Sequence, residues 1–332
     1  MIKFITIFGL SLLTAFFLTP VFQKLAVKKK IYDIPTSLKR HKKPIPYLGG
    51  LSIWLSFTVP VLLFIILKDT LTMETIGIIT GGTIVCGIGL IDDLKKLSSW
   101  VKLFGQSIAA CILLVCDVKL KVIFFPSYLN TILTFFWIIG ITNAFNIIDI
   151  MDGLSAGCAF IASMTFFFIA LGTNQFLVIL TTAALAGSCL GFLYYNKHPA
   201  KIFMGDAGSL FLGFTLASIS ISSSYTAVNN IALLSPLLIF GVPIYDTFYV
   251  SLLRTLHKKS PFKGSKDHFA IRLKALGLKG SHIVLIVFLI QTALCEASYI
   301  ATNVNIYGAI FIYLLVILIF IIFGKSLSKV EI

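Results

Sequence analysis

Eleven apolar runs divide this chain, at roughly 4–22, 47–67, 75–91, 103–116, 131–148, 154–171, 176–194, 208–222, 231–250, 282–300 and 306–323. About 20 apolar residues carry a helix across the hydrocarbon core of a bilayer. Inside that core every backbone N–H and C=O has to be satisfied by the chain itself, which leaves helices or closed barrels. A transmembrane barrel alternates apolar and polar residues over about ten positions, and stretches such as 59–67 and 310–323 do not alternate. Only 12% of the residues are charged and 58% are hydrophobic, whereas a soluble domain is about a quarter charged. The pattern predicts an all-α polytopic integral membrane protein of about eleven transmembrane helices, a single domain over 1–332 with no inserted soluble domain. The fourth, sixth and eighth runs are short or merge with their neighbours. The first, with Lys3 ahead of it, has the outline of a signal peptide but no small-x-small cleavage site, and is expected to be an uncleaved helix.

The net charge of +14 would suit a nucleic-acid binder if it were spread over a surface. Here it is confined to a few loops. With eleven spans, the loops 23–46, 92–102, 149–153, 195–207, 251–281 and the tail after 323 share one face and hold 23 of the 27 Lys and Arg, against 4 on the other. Cytoplasmic loops collect Lys and Arg, so the N-terminus is expected outside and the C-terminus in the cytoplasm, with 251–281 the longest cytoplasmic loop and no role for nucleic acid. The same parity gathers Asp92, Asp93, Asp149, Asp152, Asp206, Asp246 and Asp267 on the cationic face. One span missed upstream would scatter them over both faces. The six cysteines lie in apolar runs with no CxxC pair and read as small buried hydrophobes.

Five polar islands interrupt the apolar runs. GLIDDLKKLSSWVKLFGQ (89–106) contains two adjacent carboxylates, which repel and each require a cation or a proton. They make either a solvated loop neutralised by Lys95 and Lys96, or a general base beside a phosphate- or metal-handling site, with Lys102 as a phosphate contact. In NAFNIIDIMDG (143–153), Asn143, Asn146, Asp149 and Asp152 recur at helical spacing and would line one polar stripe. That stripe is either an interhelical hydrogen-bond cluster or a ligand set, and oxygen donors alone favour Mg2+ or Mn2+ over zinc. In FMGDAG (203–208), Asp206 near a helix start is an N-cap or a metal ligand. In DHFAIR (267–272), preceded by Lys258, Lys259, Lys263 and Lys266, the choice is between a cationic loop resting on lipid headgroups and a lid over a pyrophosphate, with Arg272 giving bidentate contacts. The fifth island is the cationic 23–46 loop. His41, His198, His257 and His282 stand alone and receive no role.

Taken in order, these islands resemble the polyprenyl-phosphate N-acetylhexosamine-1-phosphate transferases over about residues 33–280. The stretch from Asp33 through Lys39, Arg40 and His41 to PIPYLGG (44–50) resembles the family's first loop and second helix. The aspartate pair, the Asn/Asp motif, FMGDAG and the run from PIYDT (243–247) to Arg272 follow in family order. The resemblance implies a fold of ten or eleven helices with a cytoplasmic site in the bacterial inner membrane. It also implies transfer of a sugar 1-phosphate from a UDP-sugar to undecaprenyl phosphate, with Mg2+ or Mn2+ and release of UMP. The first-loop wording is closest to the N-acetylglucosamine enzymes that start O-antigen, enterobacterial common antigen or teichoic acid chains. The MurNAc-pentapeptide enzymes are the alternative, and the family often forms dimers. By this resemblance Asp206, Asn146 and Asp149 are the expected metal ligands, and Asp92, Asp93 and Asp152 the catalytic acids. Asp92 is the base and Asp93 its support. Lys102, Asn143, Phe203, His268 and Arg272 are the expected substrate contacts, with Phe203 on uracil. Two positions depart from the family pattern. Ile150 replaces the first Gly of its DGxDG, and His268 alone remains of its histidine row, which leaves the sugar open. A cation-coupled transporter would need acids near midspan and repeated halves, and a non-catalytic scaffold would show a broken site; the sequence shows neither.

Overall fold

The computed structural model describes residues 1–34, 44–122, 125–223, 230–258 and 267–330. The expectations placed on Lys39, Arg40, His41, Lys259, Lys263 and Lys266 fall outside them. The chain forms two compact units, Met1–Ser223 and Ser224–Ile332.

The first unit contains α1 (Ile2–Lys28), β1 (Tyr32–Asp33), β2 (Ile45–Pro46), α2 (Gly49–Lys68), α3 (Met73–Lys95), α4 (Ser99–Val115), α5 (Ser127–Ile147), α6 (Leu154–Gly172), α7 (Phe176–Asn196) and α8 (Gly205–Ser222). The second contains a 3-10 turn (Asn230–Leu234), α9 (Ser235–Ile239), α10 (Gly241–Leu256), α11 (Phe269–Ala275), α12 (Gly280–Asn303) and α13 (Ile306–Ser328). Among the described residues, eight helices are long and apolar enough to cross a membrane: α1, α2, α3, α5, α6, α7, α12 and α13. The chain is a multi-pass membrane protein. A ninth crossing arises if α9 and α10, which meet at a 69° bend, count as one; the sequence suggested one continuous span there. The fourth run forms a helix of only 17 residues, α4.

The eighth run is the least apolar because of where it sits. Every residue of α8 from Ala207 to Ser220 is buried, among α2, α3, α5 and α6. A helix enclosed by protein needs small side chains for close approach more than it needs lipid-soluble ones. Accordingly Gly50 of α2 and Gly89 of α3 lie against the α8 backbone at 206–208, and a Cβ on either would overlap it. On α7, Gly187 and Gly191, one turn apart, meet the α1 backbone at Phe8 and Leu12 in the same way. At the other extreme, α13 buries only Ala309 and Leu327, and its Ile, Leu and Phe side chains are suited to lipid.

Hydroxyls inside these helices turn back on their own backbone, as Thr134 does to the Asn130 carbonyl at 2.7 Å and Thr182 to that of Val178 at 2.6 Å. No water is at hand to satisfy them in a bilayer. Helix starts follow the sequence where a polar side chain is available. Thr72 caps α3 through the Thr75 N–H at 3.2 Å, and Asn305 caps α13 through that of Gly308 at 3.0 Å.

Candidate active site

The starts of α2 and α8 are capped by other parts of the chain, and this assembles the site. β1 pairs antiparallel with β2, Tyr32 opposite Pro46 and Asp33 opposite Ile45. The Pro46 carbonyl then accepts from the Phe203 N–H at 2.9 Å. The carbonyls of Phe203 and Met204 accept from the N–H groups of Gly49 and Gly50, both at 3.0 Å. The first orphan donors of α2 are thereby tied to the 203–204 segment, and that segment is fixed just ahead of α8. Tyr47 lies beside Phe203, ring centroids 6.4 Å apart. Burial and the Asp33 carboxylate, which accepts its hydroxyl, push the Tyr47 pKa up.

α8 is capped by Asp93. Its Oδ1 accepts from the Asp206 N–H at 2.8 Å and its Oδ2 from that of Ala207 at 3.2 Å. A carboxylate on two helix N-terminal donors is favoured by charge and by the helix dipole. Asp206 is therefore not the cap of α8; it is a first-turn residue whose side chain is left for another partner. Gly205 has φ +66°, and a Cβ there would collide with the Asp93 carboxylate. Gly205→Val is expected to displace Asp93 from α8 and to cut activity by about 100-fold or more, read as lipid-linked product formed per protein retained in the membrane.

Asp92, one residue earlier, points to a different element. Its Oδ1 accepts from the Leu97 N–H at 2.7 Å, closing the α3–α4 turn. Its Oδ2 lies 3.3 Å from Lys102 Nζ, and that ammonium is 2.8 Å from Asp206 Oδ2. The counter-ion of the acids is thus Lys102, whereas the solvated-loop alternative assigned Lys95 and Lys96. Lys102, Asp92 and Asp206 are each partly buried, at 23%, 15% and 24% side-chain exposure, so their charges are only partly screened.

The polar stripe expected over 143–152 stops short, because α5 ends at Ile147. Asp149 and Asp152 lie in the turn that follows, which Gly153 leaves with φ +76°. Asn143 is engaged with Gln106 of α4. It donates to Gln106 Oε1 at 2.6 Å and accepts from Gln106 Nε2 at 3.3 Å. Asn146 donates through Nδ2 to Ser209 Oγ at 2.9 Å, while that hydroxyl donates to the Gly205 carbonyl at 3.1 Å. With its own proton committed, the Ser209 oxygen can only accept from Asn146, and Asn146 Oδ1 remains as an acceptor. The Asp149 side chain has no hydrogen-bond or ion-pair partner among the described residues. Burial and the neighbouring Asp206 and Asp152 carboxylates push its pKa up to about 8.

Asp152 turns toward the α7–α8 loop, where its Oδ2 meets His198 Nδ1 at 2.8 Å and accepts from the Ala200 N–H at 3.1 Å. Nearby, Asn196 accepts from the Gly153 N–H at 3.0 Å and donates to the Ile202 carbonyl at 2.9 Å. His198, which the sequence left without a role, thus joins the Asp152 turn to the stretch leading to Phe203. A lone histidine in a loop shows nothing of this; the partner 46 positions away has to be seen.

The oxygens of Asp206, Asp149 and Asn146 suit a hard cation. No three His, Cys, Asp or Glu side chains among the described residues form a ready-made cage.

His268 and Arg272 belong to the second unit and are held within it. His268 Nδ1 lies 2.6 Å from Asp246 Oδ2, and Asp246 Oδ1 accepts from the Phe269 N–H at 3.1 Å, capping α11. Arg272 donates through Nη1 to the carbonyls of Leu327 and Val330, at 3.2 and 2.7 Å, and through Nη2 to Asp267 at 3.2 Å. Two of its donors therefore close the end of α13, where the sequence reading had given Arg272 to a pyrophosphate.

The sequence profile described as glycosyl transferase family 4 matches residues 75–224, the segment that holds α3, α4, α5 and α8. A probable undecaprenyl-phosphate N-acetylglucosaminyl 1-phosphate transferase of Bacillus subtilis is 35% identical over 99% of this chain and 92% of its own. The chain belongs to glycosyl transferase family 4. Within this family it is also similar to a decaprenyl-phosphate N-acetylglucosaminephosphotransferase of Mycobacterium leprae, 31% identical over 91% of this chain and 85% of that one. A phospho-N-acetylmuramoyl-pentapeptide-transferase of Halalkalibacterium halodurans is 34% identical over 64% of this chain and 72% of that one. The family match makes the chain a phospho-sugar transferase, and the clustered acids and lysine at the ends of α3, α4 and α8 are its candidate centre.

Proposed function

We propose that the chain transfers N-acetylglucosamine 1-phosphate from its UDP-sugar to undecaprenyl phosphate, releasing UMP and starting a cell-surface glycan such as O-antigen or teichoic acid. The observation that supports it most is the bridge of Lys102 between Asp92 and Asp206, a cation among acids at three helix ends. An N-acetylglucosamine donor is favoured over UDP-MurNAc-pentapeptide because the N-acetylglucosamine relative matches 99% of this chain and the pentapeptide relative 64%.

In this account one oxygen of the lipid phosphate attacks the β-phosphorus of the UDP-sugar. The bond from that phosphorus to the bridging oxygen breaks, and UMP leaves with the electron pair. One phosphoanhydride replaces another, so the barrier lies in bringing two anions together. Asp206, Asp149 and Asn146 Oδ1 would hold Mg2+, or Mn2+ in its place. The ion would neutralise charge on the pyrophosphate and the departing UMP. Lys102 contributes a second positive charge to the same phosphates. Asp92 takes any proton left on the lipid phosphate, a modest task for a group whose pKa is about 6. Asp93 keeps Asp206 in place through α8. Phe203, which follows the stretch held by Asp152 and His198, supplies a flat face for uracil, and Asn143 is a further substrate contact. In the second unit, Asp246 holds His268 by Nδ1.

The whole chain, 1–332, acts in this account as one transmembrane transferase domain of the bacterial inner membrane. If α4, α8 and the bent α9–α10 pair also cross, the spans number eleven. The N-terminus is then outside, and the site lies on the cytoplasmic face where the UDP-sugar is. Membranes containing the protein, supplied with undecaprenyl phosphate, Mg2+ and radiolabelled UDP-sugars in parallel, are expected to give a labelled lipid with UDP-N-acetylglucosamine. Label from the pentapeptide donor alone would move the assignment to the other branch, and a lipid fraction unlabelled by every donor would contradict enzyme activity of this class.

A further inference from the structure

Lys102 stands in the opening turn of α4, where the positive end of the helix dipole disfavours a cation. It is retained there by acids from two other helices, Asp92 Oδ2 at 3.3 Å and Asp206 Oδ2 at 2.8 Å. Asp93 and Asp149 also act on Asp206 by charge. Asp93 is spent on the α8 N–H groups, and the Asp149 side chain has no partner among the described residues, which leaves Asp92, Asp149 and Asp206. The cluster thus holds one fixed cation for three acids, and that cation covers an oxygen of the residue best placed to bind a metal.

We propose that the Lys102 ammonium is an exchangeable counter-ion. It occupies Asp206 until a divalent cation takes that carboxylate, and it is then released, still tethered to Asp92, toward the phosphate of the incoming substrate. The proposal rests on the metal assignment made above. A divalent ion and an ammonium on one carboxylate repel each other strongly at a partly buried site. A lysine, a point charge on a flexible four-carbon stem, can leave without losing its second partner, whereas a guanidinium fork would stay. Lys102 therefore opposes metal binding in the substrate-free protein and favours phosphate binding once the metal is present. This ties loading of the ion to capture of the donor.

Binding of Mn2+ to the purified full-length protein without substrate, followed by the electron paramagnetic resonance of the free ion, tests this. Lys102→Met is expected to bind Mn2+ tighter by on the order of tenfold, the usual size of a coupling between two sites. Lys102→Arg is expected to bind no tighter than wild type, and Asp206→Asn to lose the site. In the unmutated protein, Mn2+ is expected to raise the rate at which an amine-directed acylating reagent modifies Lys102, read by mass spectrometry, which covers the case of a variant that does not fold. Wild-type binding that depends on Asp206 but is unchanged or weaker in Lys102→Met overturns the exchange and leaves the metal assignment standing. A Lys102 modification rate unaffected by bound Mn2+ also overturns it. Absence of Mn2+ binding in wild type and Lys102→Met overturns both.

Discussion

Asp206→Asn is expected to lower phospho-sugar transfer by on the order of 10³-fold while leaving the protein folded in the membrane. Asp206 is the partner of Lys102 and, with Asp149 and Asn146, one of the residues proposed to hold a metal. Its side chain is 24% exposed, and a partly exposed ion pair contributes at most about 1 kcal/mol to stability. The apparent Tm in detergent should therefore move by no more than a few degrees. Transfer measured with radiolabelled UDP-N-acetylglucosamine, beside a thermal unfolding curve of the same preparation, checks both halves. Retention of a tenth of the activity or more would remove Asp206 from the centre.

Asp93→Asn is expected to fail differently. Both oxygens of Asp93 are committed to the Asp206 and Ala207 N–H groups, and an amide offers one acceptor where the carboxylate offers two. A helix start inside the protein would be left with an unsatisfied donor at a cost of about 1–3 kcal/mol. Asp206 would shift with it, lowering activity by about 100-fold, since a displacement of about 1 Å can cost that much. Stability and activity should fall together. A variant that loses activity with an unchanged unfolding curve would return Asp93 to the chemical role that the sequence alone suggested, as support for Asp92.

The contrast between these two carboxylates shows what could be read without coordinates. The apolar runs predicted the helices closely, since a bilayer permits little else and the periods needed no resolving; α2, α5, α6 and α7 fall where the runs lie. The island around Asp92 and Asp93 was also legible as a charged site. Its internal division was not, because adjacent helical residues point about 100° apart and only the packing of α4 and α8 decides which acid meets which. The same limit applies to Asp149 and Asp152. Their spacing matched a helix, but α5 stops at Ile147, and the turn sends Asp152 to His198 and leaves the Asp149 side chain without a partner among the described residues. Arg272 was illegible in another way. Its partners are the backbone carbonyls of Leu327 and Val330, and carbonyl acceptors leave no mark in a sequence. Gln106 stood inside a motif already singled out and Ser209 directly after another, and their pairing with Asn143 and Asn146 follows only from how α4, α5 and α8 pack.

The most direct test of the central claim follows the β-phosphorus. UDP-N-acetylglucosamine labelled with 32P at the β position, incubated with the protein, undecaprenyl phosphate and Mg2+, is predicted to pass its label to the lipid with the sugar, leaving unlabelled UMP. Label retained in UDP would mean that the sugar moves without its phosphate. That result would contradict attack at the β-phosphorus and the assignment of Asp92, Lys102 and Asp206 as its centre.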